Sequence, residues 1–303
     1  GQPKVIIRLV GRAGLVLLFL AAGVLGTLSG VLFAMAEDVP EISALDDYRP
    51  STITRLIAAD GKTVVGEFAT ERRLVVPYED IAPALRNAII ATEDAGFNEH
   101  VGLSMSRILV TIVKDVTTGQ RAGASTLTQQ LARDMFLRQY RSQGGVFERS
   151  ATRKMKEAIA ALQIEKRYTK REIFTLYANQ INLGHGAYGV EAASRLYFDK
   201  PAKDLAVEEA AVIAGIIQAP GRLSPFVNPK GALIRRNYVL DRMAEEGYVS
   251  RGDVAALKAL PITLKGRQRP DPSMAPYFSE EIRKTLEQDF GADALYQGGL
   301  RVQ

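Results

Sequence analysis

Apolar residues run without a single charge from Ala13 to Ala36, "AGLVLLFLAAGVLGTLSGVLFAMA". As a helix this run rises about 36 Å, enough to cross a hydrocarbon layer of about 30 Å with some tilt. A polar stretch containing two prolines follows over 37–52 and reads as a linker. Two β-rich runs then flank Asp60-Gly61, which predicts a hairpin. "ERRLVVPYEDIAP" is expected to extend that β element before Pro83 opens a helix in its first turn. From Ile81 onward the period is helical, with helices expected over 83–95, 103–117, 125–138, 149–167, 170–180, 187–197, 206–217, 230–246 and 278–289. Breaks fall at "TTGQRAGA", "RSQGG", "LGHG" and "QAPGRLSP". The pattern describes one mainly α domain with a small β hairpin near the membrane.

Two helices have patterns that invite a choice. In 149–167, Arg153 and Glu157 share a side with Ala160, Ala161 and Ile164, while Met155, Ile159 and Leu162 lie opposite and read as core. In 103–117, "LSMSRILVTIVKDVT", the apolar middle fits core packing, or a helix that dips into a bilayer interface.

Charge adds direction to this outline. Lys4, Arg8 and Arg12 precede the apolar run, and Glu37 and Asp38 follow it. The positive-inside rule then places the N-terminus in the cytoplasm and the rest outside. Ala34-Met35-Ala36 resembles a signal-peptide cleavage site, but the run is much longer than a signal's apolar region, so a retained anchor is expected. Opening on Gly1 rather than Met, the sequence reads as a processed or shortened chain. With no cysteine among 303 residues, disulfides and thiolate metal sites are excluded. The net charge is +5, and between Gly119 and Arg171 twelve Lys or Arg stand against four Asp or Glu. Such a block suits an anionic lipid, a phosphorylated substrate or a solvated helix face. Outside the cytoplasm it does not suit nucleic acid.

Four stretches hold polar residues that an ordinary helical core does not need. In "EDAGFNEHVG", Glu93, Phe97 and His100 would share one face of a continuing helix, forming either a catalytic edge or a frayed end. "GASTLTQQLARDMF" offers Ser125 or Thr126 as a cap, with Gln129, Gln130 and Arg133 within two turns. "ERSATRKMKEAIAALQIEKRY" carries Arg153 and Glu157. "KREIFTLYANQINLGHGAYG" carries Tyr177, Asn179 and Gly184 at a helix end.

In order and spacing these stretches resemble the motifs of the family 51 peptidoglycan glycosyltransferases, found in class A penicillin-binding proteins and monofunctional transglycosylases. Glu93-Asp94, Phe97, His100 and Gly102 match EDxxFxxHxG, and Gly123, Ser125, Thr126, Gln129 and Gln130 match GxSTxxQQ. Arg153, Lys154 and Glu157 match RKxxE, and Lys170, Ile173, Tyr177, Asn179 and Gly184 match KxxIxxxYxNxxxxG. "EAAVIAGIIQAPGRLSPFVNP" is similar to the fifth region, so the likeness runs from about residue 53 to 245.

The resemblance implies a mainly α, lysozyme-like helical domain with a β hairpin and one N-terminal transmembrane helix. It divides the chain into a cytoplasmic tail (1–12), the transmembrane helix (13–36), linker and hairpin (37–80), a glycosyltransferase domain (81–250), and C-terminal helices with the start of a linker (251–303). The implied reaction joins lipid II to a growing glycan strand with inversion, giving a β-1,4 glycan and releasing polyprenyl pyrophosphate. Glu93 is then the general base, and its shielding by Phe97 and apolar neighbours would raise its pKa. Glu157 is implied as the second essential carboxylate, positioning the donor or holding Mg²⁺ or Mn²⁺. Arg133 and Arg149 are implied to grip the pyrophosphate. Ser125, Thr126, Gln129, Gln130, Arg153, Lys154 and Lys170 are expected around the substrate, with Asp94, Phe97, His100, Tyr177 and Asn179 in support. Membrane lipids and other cell-wall synthesis proteins are the further partners, at the bacterial inner membrane. A muramidase or lytic transglycosylase is the alternative that a lone Glu also suits; the anchor and basic block favour the polymerase.

This chain departs from the family pattern at three places. Arg133 stands where Lys is commoner, Asp199 where Gly is usual, and the segment between Phe136 and Arg149 is longer than common. "SMAPYFSEEIRKTLEQDFGADALYQGGLRVQ" resembles the lead into a transpeptidase domain. Neither Ser-x-x-Lys nor Lys-Thr-Gly occurs in these residues, so a fragment without that domain is expected.

Overall fold

The computed structural model describes residues 54–68, 72–104, 107, 110–111, 125–137, 150–265, 276–297 and 299–303, with seven single helical positions between 15 and 30. Among the described residues no helix is long and apolar enough to cross a membrane. Most of 13–36, most of the expected helix 103–117, the breaks at 117–124 and 141–145, and Arg149 lie outside the described residues.

The elements begin with strands β1 (Thr54–Ile57), β2 (Val64–Phe68) and β3 (Arg72–Arg73), then helices α1 (Pro83–Glu93), α2 (Leu127–Phe136), α3 (Ala151–Arg167) and α4 (Lys170–Gln180). Strand β4 (Ala187–Tyr188) leads into α5 (Val190–Phe198), α6 (Val207–Ile216), α7 (Pro220–Leu223), α8 (Pro229–Glu245) and α9 (Val254–Ala259). The helix α10 (Pro276–Gln297), broken at Gly291, and strand β5 (Arg301–Val302) close the chain.

Local chemistry accounts for many of these boundaries. Asp60 Oδ1 accepts from the amides of Lys62 and Thr63 at 2.8 Å each, closing the β1–β2 turn. Thr126 and Gln129 form a capping box on α2, and Thr169 and Glu172 form another on α4. Ser150 caps α3, and prolines open α1, α7 and α8. At the end of α5, Asp199 takes the left-handed conformation (φ 56°), which Asp tolerates better than most residues. The Asp in place of Gly therefore alters only a turn.

The central helix, α6, is buried continuously from Ala210 to Ile216. Against it pack Leu85 and Ile89 of α1, Val239 and Leu240 of α8, and Tyr197 and Phe198 of α5, and the same core continues into Leu127 and Leu131 of α2 and Ile173 and Phe174 of α4. A second, smaller core joins Leu56 and Phe68 of the hairpin to Leu286 and Leu295 of α10. There β5 lies parallel to β1 in a sheet of order β2-β1-β5.

The structure corrects four expectations. The segment after the hairpin does not extend it: β3 pairs in parallel with β4, and Asn179 clasps Val76 through both its backbone N–H (3.0 Å) and its carbonyl (2.8 Å). Helix α5 starts at Val190 rather than 187, because Gly189 adopts φ +82°, where a β-carbon would lie 2.8 Å from the Asn179 carbonyl oxygen. Helix α1 stops at Glu93, so Phe97 and His100 reach the site through a turn and not along a helix face.

The fourth correction inverts α3. Glu157, Ala160, Ala161 and Ile164 are buried, whereas Met155 and Ile159 are half-buried and Leu162 is exposed. Small alanines let the neighbouring chain come close. A β-carbon on Gly102 (φ +91°) would lie 3.0 Å from the Ala161 carbonyl oxygen. The Glu157 charge tolerates burial because two cations face it.

Candidate functional site

Asp94 holds the site together. This buried carboxylate accepts from His100 Nε2 (2.9 Å), Arg107 Nη1 (2.9 Å) and the Leu127 amide at the start of α2 (3.0 Å). The Gly102 amide donates to His100 Nδ1 at 3.1 Å, which leaves the imidazole proton on Nε2, facing Asp94. Arg107 Nη1 also donates to the Glu93 carbonyl (2.8 Å), and Thr126 Oγ1 donates to the Gly102 carbonyl (2.6 Å). The end of α1, the turn after it and the start of α2 are thereby tied into one rigid unit.

Glu93 lies at the edge of this unit. Its Oε2 accepts from Gln130 Nε2 at 3.1 Å, and Gln130 Oε1 accepts from Tyr177 Oη at 3.2 Å. Burial pushes the Glu93 pKa above the usual carboxylate range, while the Gln130 hydrogen bond and the charges of Arg235, Arg107 and Arg133 pull it back. The Tyr177 phenol is raised well above 10, by burial first and then by the neighbouring carboxylates. A half-buried carboxylate in the field of guanidinium groups can take a proton while an anion is held nearby.

A second cluster centres on Glu157 of α3. Arg153 and Lys154 both pair with it, Lys154 Nζ at 2.9 Å, and the same Nζ donates to Ser125 Oγ at 2.5 Å. Both Glu157 oxygens are therefore engaged by cations. Among the described residues no group of three or more His, Asp or Glu gathers to hold a metal. The surroundings of Glu157 do not fit a divalent ion.

Other candidates serve the framework. Lys170 Nζ donates to the His100 carbonyl (2.6 Å) and to Glu165 (2.7 Å) and lies 4.6 Å from the Phe97 ring centroid. Thr126 and Gln129 act as the α2 cap, and Asn179 braces the segment before α1. Arg133 sits one turn beyond Gln130, 3.3 Å from Asp134. Sequence reasoning missed Arg107, Glu165 and Arg235. Arg107 carries a signal in hindsight, being the lone charge in an apolar run up to Lys114. Arg235, half of an Arg-Arg pair on α8, carries none. It lies over the Tyr238 ring (4.4 Å), and its buried Nε meets no acceptor among the described residues.

The family model described as Transglycosylase matches residues 61–244. Penicillin-binding protein 1A of Vibrio cholerae is 36% identical over 279 residues, covering 91% of this chain and 32% of the relative. That of Pseudomonas aeruginosa is 34% identical over 280 residues, covering 92% and 33%. The crystal structure of penicillin-binding protein 1A from Haemophilus influenzae superposes with a TM-score of 0.51 at 26% identity, covering 83% of this chain and 26% of that one. The chain thus spans about a third of the length of the curated relatives it matches. Since the matched segment covers more than half of the chain and contains Glu93, Gln130, Glu157 and Tyr177, the chain belongs to the transglycosylase family.

Proposed function

We propose that this chain is a membrane-anchored peptidoglycan glycosyltransferase that polymerises lipid II, with Glu93 as general base. One observation carries the reading: inside the segment that matches the family, the half-buried Glu93 carboxylate is held at 3.1 Å by Gln130 Nε2, and burial raises its pKa. In the proposed reaction the Glu93 carboxylate accepts the proton of the acceptor sugar's 4-hydroxyl as that oxygen attacks the donor's anomeric carbon. The bond to the pyrophosphate oxygen breaks on the opposite face, which inverts the centre. The leaving polyprenyl pyrophosphate carries the negative charge that develops, and Arg133, Arg149, Arg153 and Lys154 stabilise it. The residue 13–36 run is the proposed anchor in the inner membrane, with the catalytic body on the periplasmic side; membrane lipids, the growing glycan strand and other cell-wall synthesis proteins are the proposed partners.

The test is incubation of detergent-solubilised protein with labelled lipid II and separation of the products by length. Ladders made by wild type and abolished in folded Glu93→Gln are expected. A folded Glu93→Gln protein that polymerises at the wild-type rate would refute the assignment of the base. Release of muropeptides from preformed sacculi without any polymer would favour the lytic alternative.

A further inference from the structure

We propose that Tyr177 is a positioning residue for Glu93, holding the Gln130 amide so that its NH₂ group donates to the carboxylate; the inference rests on Glu93 being the base of the proposed transfer.

The chain of contacts crosses three helices. Tyr177 projects from α4 and is 1% exposed. Its hydroxyl reaches Gln130 Oε1 of α2 at 3.2 Å, and Gln130 Nε2 reaches Oε2 of Glu93, the last residue of α1, at 3.1 Å. A glutamine amide has a donor end and an acceptor end of nearly equal shape, so sterics alone do not choose which faces Glu93. The ionised carboxylate only accepts and so favours the NH₂ end, and the phenol locks that choice by donating to the Oε1 end. It has one proton, kept on the oxygen by burial and by the charges of Glu93 and Asp134. With Oε1 facing it, the phenol gives that proton to the amide oxygen. The flipped amide would set Oε1 against the carboxylate and forfeit the phenol's donation to Oε1.

This arrangement makes Glu93 a more reliable base. Arg235, Arg107 and Arg133 act on Glu93 through charge, with Asp94 and Tyr177 as the other titratable groups beside it. Gln130 adds a directed hydrogen bond that opposes the effect of burial and fixes one carboxylate oxygen. The oxygen facing away from Gln130 is left to receive the proton. The motif resemblance groups Gln130 with the substrate-binding residues, whereas its contacts are with the base and with Tyr177.

The test is the pH dependence of lipid II polymerisation. Wild type should lose activity at low pH as Glu93 takes up a proton. Tyr177→Phe should move that acid limb upward by about half to one pH unit, with KM for lipid II within about twofold of wild type, as expected of a residue acting only through the base. Gln130→Met should move it in the same direction, and adding Tyr177→Phe to Gln130→Met should move it no further. An unmoved limb in Tyr177→Phe, or an undiminished second shift in the double variant, overturns the relay. Should Tyr177→Phe fail to fold, difluorotyrosine at 177 is a stronger donor of nearly equal size. It should shift the limb downward, and no shift overturns the proposal. A wild-type protein that makes no polymer from lipid II removes the functional reading itself, before any variant is compared.

Discussion

Replacing Asp94 with Asn probes whether the site depends on a buried charge or only on shape. The two side chains are nearly isosteric, but Asp94 is surrounded by donors: His100 Nε2 (2.9 Å), Arg107 Nη1 (2.9 Å) and the Leu127 amide (3.0 Å). An Asn has one oxygen to offer. If its NH₂ takes the Oδ1 position it meets Arg107; if it takes Oδ2 it meets the Leu127 amide at the start of α2. Either way one charge-assisted hydrogen bond, about 1.5–3 kcal/mol, is replaced by a donor–donor conflict. Arg107 also loses its counter-charge, though at 29% exposure water recovers part of that. A net destabilisation of about 3 kcal/mol follows, equivalent to a fall in Tm of about 6–12 °C for a body of this size. Thermal unfolding by circular dichroism in detergent measures it. A fall below about 3 °C, or one near 1 kcal/mol, would show that neutral groups satisfy these donors and that Asp94 does not organise the site. Polymerisation should fall as well, because the same Arg107 nitrogen holds the Glu93 carbonyl at 2.8 Å.

Two further outcomes are expected. Burial raises the Glu93 pKa above its ordinary 4.5, so the folded protein holds this proton more tightly than the unfolded chain. Ionisation then costs stability as pH rises from the unfolded value through the folded one, and the cost stays constant above that. Glu93→Gln removes the cost: it should unfold at a higher temperature than wild type at about pH 7 and at the same temperature at about pH 4. Equal Tm values at both pH values would contradict this. Separately, the fully buried Arg236 donates to the carbonyls of Leu260 (2.5 Å) and Lys258 (2.7 Å). Arg236→Met should cost about 2–4 kcal/mol and open the end of α9, read as faster native-state trypsin cleavage at Lys258; unchanged cleavage counts against it.

Sequence patterns reveal helices and caps here more readily than contacts. The helix over 170–180 coincides with α4 because a Thr169–Glu172 capping box starts it and the apolar period runs unbroken. The hairpin around Asp60-Gly61 is equally local. The orientation of α3 is not: hydrophobicity favours burying Met155, Ile159 and Leu162, but Gly102 on the other side admits close backbone contact, and the paired Glu157 makes burial of that polar side tolerable. The pairing of β3 with β4 joins residues more than 110 apart, beyond any local pattern. The site's polar residues are legible through motif resemblance, which does not distinguish a ligand contact from an internal one. Lys170 is taken up by His100 and Glu165, and Thr126 and Gln129 by the α2 cap.

That distinction also changes the meaning of the basic block. The twelve Lys and Arg between Gly119 and Arg171 invite the idea of a broad positive surface, yet five of them are held in ion pairs. Lys170 meets Glu165, Arg171 meets Glu79, Arg133 meets Asp134, and Arg153 and Lys154 meet Glu157. Under the proposed function a pyrophosphate would then be met by a few fixed donors rather than by a diffuse field. Lys154 shows how. Of its three N–H bonds, one points to Ser125 and one to Glu157, which locates the ammonium to within hydrogen-bond tolerance, while its side chain stays 43% exposed. The third N–H is the one left to turn outward. An anion that binds there meets a cation whose conformational entropy is already lost, so little further ordering opposes binding. Glu157 need not touch the substrate to matter: its burial beneath Lys154 and Arg153 holds both cations in place.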